Sequence, residues 1–160
     1  MVTRVYETRI AAPVEALRAF HESVEALVKL TPPGTKVEII GDDVAVREGA
    51  LHVLRIRQGP LTTVWKARLS DVTENGFVDT MEAGPAKYWR HHHEFLRDSG
   101  SAEGCILRDT VTFQAPGGPL SPLVHALFLN RQVDAMFAHR HQVTKRELEQ
   151  NRVEPGHEAG

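Results

Sequence analysis

Five polar residues in this chain each sit among apolar neighbours of matching parity. In Trp89-Arg90-His91-His92-His93-Glu94-Phe95, alternation groups His91 and His93 with Trp89 and Phe95, and turns Tyr88, Arg90, His92 and Glu94 the other way. Asp79 keeps the company of Phe77 and Met81, and Asp109 that of Cys105, Leu107, Val111 and Phe113. Arg140 falls among Met136, Phe137, Val143 and Thr144. Charges on an apolar face cost several kcal/mol each to bury unpaired, so they must pair with one another or meet water or a ligand.

Four readings suit this set. Inward polar groups amid aromatics make a small-molecule pocket. Trp65, Trp89, Phe95, Phe113, Met136 and Phe137 then line its apolar part, and Asp79, His91, His93, Asp109 and Arg140 its polar end. The enzymatic version uses His91 or His93 as acid or base, oriented by Asp109, with Arg140 holding an enolate or carboxylate. The third possibility is a purely structural ion-pair network. A metal is also conceivable, because His-x-His on a strand presents two imidazoles to one face and Asp79 or Asp109 could supply oxygen. No Glu follows at the spacing of metal-binding barrels and no third histidine is tied to the motif, so neither metal nor cofactor is expected. Nucleophile elbows and glycine-rich phosphate loops are absent. Cys105, between Gly104 and Ile106-Leu107, reads as a core residue.

These side chains need a scaffold. Leu123 to Glu154 is a run of 32 residues without glycine or proline. At roughly 100° per residue it gathers Leu129, Val133, Met136, Phe137 and Val143 on one side, an amphipathic helix of about eight turns, up to roughly 45 Å long. Arg140 projects from the middle of that stripe. Thr3–Ala11 reads as a strand, and two short helices follow it, Val14–His21 and Ser23–Leu30, the second capped by Ser23. Strands are then predicted over Lys36–Ile40, Val44–Arg47, Leu51–Gln58, Thr62–Val72, Phe77–Glu82, Lys87–Arg97 and Glu103–Gln114. Short turns separate them, with no helices between, as in an antiparallel meander. Gly59-Pro60 and Gly84-Pro85 are candidate rim loops.

Bulk properties narrow the function. The length suits one domain, placed at 1–153, with a disordered tail at 154–160. A net charge of −2, with 25% charged residues, argues against a nucleic-acid surface. One cysteine excludes an internal disulfide and fits a reducing compartment, and no apolar run spans a membrane, so a cytoplasmic monomer or homodimer without stable membrane insertion is expected. Leu120, Leu123, Leu127 and Phe128 could form an apolar rim or simply cap the core.

The ordered motifs Pro32-Pro33, Gly59-Pro60, Trp65-x-Ala67, Phe77-x-Asp79, Gly84-Pro85, Trp89-x-His91-x-His93-x-Phe95, Asp109-x-Val111-x-Phe113, Pro116-x-Gly118 and Met136-Phe137 followed by Arg140 carry a resemblance. Over nearly its whole length the chain resembles the START/Bet v 1-like (SRPBCC) superfamily, and within it bacterial stand-alone ligand-binding, cyclase/dehydrase-like members. The resemblance implies an α+β helix-grip fold: a curved antiparallel sheet wrapped around a long C-terminal helix, with two short helices after the first strand. It also implies a small hydrophobic ligand with a polar or acidic end, such as a lipid, quinone or polyketide. The alternative it offers is a polyketide cyclase/dehydratase or isomerase using a cavity histidine. Fold alone does not choose between them.

Overall fold

A computed structural model describes residues 1–41, 43–116 and 129–150. The order is β1 (Val2–Ile10), α1 (Val14–His21), α2 (Val24–Lys29), β2 (Thr35–Ile39), β3 (Leu51–Gln58), β4 (Leu61–Thr73), β5 (Gly76–Ala83), β6 (Tyr88–Arg97), β7 (Cys105–Gln114) and α3 (Asn130–Gln150). All seven strands pair antiparallel in one sheet, in the order β1-β7-β6-β5-β4-β3-β2. The meander runs from β2 to β7, and β1 closes beside β7.

Alternation decides which face is covered. β6 and β7 bury every second residue, Trp89, His91, His93 and Phe95 on one and Cys105, Leu107, Asp109, Val111 and Phe113 on the other. Bulges in β4 between Lys66 and Ala67 and between Ser70 and Thr73 bend the sheet, with Asp71 at φ 53°. α3 lies against β1 and α1 and brings Val133, Phe137, His141, Val143, Thr144 and Leu148 inside.

Two apolar clusters result. Ile10, Leu17, Leu69, Phe77, Phe95, Leu107 and Leu148 fill the end beneath α1. Trp89, Val111, Phe113, Val133 and Phe137 fill the other end, where Tyr6 stacks flat on Phe137 with centroids 4.7 Å apart. Cys105 is fully buried in the first cluster, and burial pushes its thiol up to about 11.

Two expectations change. Val44–Arg47 forms no strand. β2 ends at Ile39, opposite Leu54, and Gly41 (φ 147°) turns the chain off the sheet edge. The segment is pinned only at points, such as the 2.9 Å Gly49 N–H bond to Leu69 O just beyond it; Val46 packs on the core, and the more exposed Val44 borders the cavity with it. The long helix is described from Asn130 to Gln150, roughly 31 Å. The remainder of the expected Leu123–Glu154 helix, the rim residues Leu120, Leu123, Leu127 and Phe128, and the tail 154–160 lie outside the described residues. No helix among the described residues is long and apolar enough to cross a membrane.

Candidate functional site

The β5–β6–β7 ladder sets Asp79 opposite His91 and His93 opposite Asp109. The side chains then cross diagonally. His91 Nε2–H donates to Asp109 Oδ1 at 2.9 Å, and His93 Nε2–H to Asp79 Oδ2 at 2.9 Å. The same residues also face each other straight across, His91 Nδ1 at 3.2 Å from Asp79 Oδ2 and His93 Nδ1 at 3.4 Å from Asp109 Oδ1. The two rings stand 3.6 Å apart, held between Phe77 on His93 and the edge of Phe137 on His91. From α3, His141 Nε2–H donates to Asp109 Oδ2 at 2.9 Å, while its Nδ1 lies 2.9 Å from the Thr8 hydroxyl.

Most of this network is buried: Asp109 is 1% exposed and His91 and His93 each 4%, while the Asp79 side chain is 17% exposed. Burial by itself would raise both carboxyls, but the imidazoles outweigh it. His91 and His93 hold Asp79 well below the usual carboxylate range, and His91, His141 and His93 do the same for Asp109. Burial disfavours a charged His91, yet two flanking carboxylates raise it. Both its ring nitrogens face an anion, so both carry protons. His93 goes the other way, to about 4, through burial and then the neighbouring His91 charge. His21, at the end of α1, is pushed down to about 3, chiefly by burial.

In front of the network lies a cavity of about 580 Å³ between α2, α3 and the concave sheet. Its wall is largely apolar, with Leu27, Val37, Ile56, Trp65, Trp89 and Met136 among its members. Asp79, His91, His93, Phe137 and Arg140 also line it, so eight of the residues singled out from sequence share one wall. Phe95, Phe113 and Asp109 do not. The two phenylalanines, 1% and 0% exposed, pack in the core, and Asp109 stands behind the histidines. Neither Gly59-Pro60 nor Gly84-Pro85 contributes to the wall; Pro32, Pro33, Val44 and Val46 do.

Arg140 does not reach Asp109. A buried row of Val133, Phe137, His141, Thr144 and Leu148 faces the sheet, and it is His141 that meets Asp109. Arg140 stands one position around the helix, lining the cavity with its guanidinium carbon 5.8 Å from the Phe137 centroid. Among the described residues, no carboxylate lies within ion-pair distance of it. His141, His21 and Thr8 belong to the site but were missed in the sequence. The available signal for His141 was its i+4 spacing from Phe137, and for His21 the same spacing from Leu17.

A curved antiparallel sheet gripping a C-terminal helix around a cavity is the helix-grip fold, and solved structures share it. The chain is similar to the Zhui aromatase/cyclase of Streptomyces sp. R1128 (17% identity, 96% of each chain covered, TM-score 0.69). It is also similar to a START superfamily protein of Mycobacterium smegmatis (12%, 92% of this chain and 97% of that one, TM-score 0.69) and to Ara h 8.0201 (17%, 92% and 97%, TM-score 0.62). Identities this low speak for the fold alone. The chain belongs to the family described as a domain of unknown function, DUF8410, whose profile matches residues 63–148. No curated protein matches it.

Proposed function

We propose that this domain binds a small, mostly apolar molecule with an acidic or oxygen-rich end, of the size of a lipid, quinone or polyketide fragment. The observation that carries this reading is Arg140: a cation in an apolar cavity wall, without a carboxylate partner among the described residues. An anionic ligand group supplies that partner, and a charge-assisted bond there contributes about 1.5–3 kcal/mol. The volume of about 580 Å³ lies within the range of small-molecule sites. The similarity to START and aromatase/cyclase structures supports the same class of ligand.

Both tryptophans of the chain, Trp65 and Trp89, line the cavity, edge to face with centroids 5.3 Å apart. Occupancy therefore reports in their emission. Native mass spectrometry of freshly purified protein should show a co-purified apolar acid or polyketide. Medium-chain fatty acids should quench the tryptophans saturably, and emission unmoved by every such ligand would sink the reading.

A cyclase, dehydratase or isomerase is the second reading. His93 lines the cavity and is pushed down to about 4 by burial and the neighbouring His91 charge, which leaves it the neutral ring of the pair. In that reading it is the base, with Arg140 stabilising the resulting oxyanion. Its Nδ1 is buried without a hydrogen-bond partner, a bare lone pair that faces Asp109 Oδ1 at 3.4 Å.

A further inference from the structure

That bare nitrogen also bears on the chemistry of the cavity wall. We infer that Asp79, His91 and His93 form a binding site for a divalent first-row transition cation, oriented from behind by Asp109. The inference goes beyond the ligand reading and stands whether or not the cavity takes an organic molecule. One donor atom from each of the three residues falls within a cluster 4.8 Å across. His91 Nδ1 and His93 Nε2 stand 3.2 Å and 2.9 Å from the same oxygen, Asp79 Oδ2. Donors at those separations, each about 2.1 Å from a common ion, subtend roughly 90–100° there, the angle of a two-histidine, one-carboxylate face with its remaining positions open. All three residues line the cavity, so the open side faces a ligand.

Proton placement supports the site. Without a metal, His93 donates from Nε2 to Asp79, and its Nδ1 lone pair confronts Asp109 Oδ1 at 3.4 Å, acceptor against acceptor. A cation at Nε2 moves the ring proton to Nδ1, where it points at Asp109. The cation also displaces the proton on His91 Nδ1 and leaves Nε2–H donating to Asp109 at 2.9 Å. Asp109 then accepts from both ligating rings, the carboxylate–histidine–metal arrangement that fixes ring tautomers. His141 holds its other oxygen at 2.9 Å. Alternation alone leaves Asp79 and Asp109 equally able to supply oxygen; the β5–β6 register sets Asp79 directly opposite His91.

The test uses the intact chain, stripped by chelator and titrated with Co(II) or Zn(II) alone. We expect one equivalent bound, with the visible bands of nitrogen- and oxygen-ligated cobalt. Long-range proton–nitrogen NMR should show the His93 proton moving from Nε2 to Nδ1 on Zn(II) addition. Asp79→Asn and His91→Gln should abolish tight binding, and Asp109→Asn should weaken it about 10- to 100-fold. His92→Ala, on the opposite face of β6, should leave it unchanged. Tight binding that survives an Asp79→Asn/His91→Gln double variant overturns the proposal, as does wild-type binding no tighter than that variant's. A His93 tautomer that stays put on Zn(II) addition also overturns it, and that reading needs only the wild-type protein.

Discussion

His141 and Asp109 lie 32 residues apart in sequence and share a buried 2.9 Å hydrogen bond that ties α3 to β7. Removing one partner strands the other in a dry site. His141→Leu should therefore cost about 1–3 kcal/mol or more in denaturant unfolding, since the stranded group is charged. Gln142→Leu, exposed at the next position, should stay within about 0.5 kcal/mol. Equal losses in the two variants would mean that the bond contributes nothing.

Arg140 can be tested alone, because no carboxylate among the described residues depends on it. Arg140→Met should unfold at nearly the wild-type temperature. Its affinity for a fatty acid should fall about 10- to 150-fold, while that for the matching alcohol barely changes. A variant that still prefers the acid as strongly as wild type would take Arg140 out of the site.

Gly76 opens β5 at φ 144°, and a Cβ there would stand 1.9 Å from the carbonyl oxygen of His93. Only glycine lets β5 approach β6 this closely. Gly76→Ala should lose more than about 1 kcal/mol and shift the His91 and His93 ring resonances, because Asp79 lies on the displaced strand. Unchanged stability and unchanged ring spectra would show that the approach is not needed.

His21 makes stability depend on pH in a defined window. Its folded value is about 3 against 6.5 unfolded, burial being the main cause. Above 6.5 the ring is neutral in both states and contributes no slope. As pH falls from there toward 3, only the unfolded chain takes up the proton, so stability drops by at most about 1.4 kcal/mol per unit. His21→Gln should lose stability less steeply than wild type between pH 6.5 and 4. Parallel curves over that window would show that the folded ring protonates normally.

The sheet was legible because alternation in β6 and β7 is nearly uninterrupted, and the same alternation placed Asp79, His91 and His93 on the cavity wall. The helix was harder. Val133, Phe137 and Val143 lie inside as the stripe predicts, but the inward row also includes His141 and Thr144, polar residues that a hydrophobicity pattern reads as breaks. Phe95 and Phe113 share the parity of the wall residues, but parity gives a face and not a depth. They lie toward the packed ends of their strands, under α1 and α3 respectively. Val44–Arg47 has strand composition but no neighbour to pair with, which composition cannot show.

The reach of the Asp109 network along the chain bears on how the protein is made. Thr8 and His141 meet across 133 residues, and the histidine pair lies between them in sequence. Contacts of such separation form late, since loop closure must precede them. On a ribosome, β1 to β7 emerge with two aspartates and two histidines facing an uncovered groove. Only when α3 clears the exit tunnel does Asp109 gain its second partner and the groove its Arg140 wall. If the proposed ligand site is right, its binding waits for α3, and a nascent chain halted before that helix should not hold the ligand.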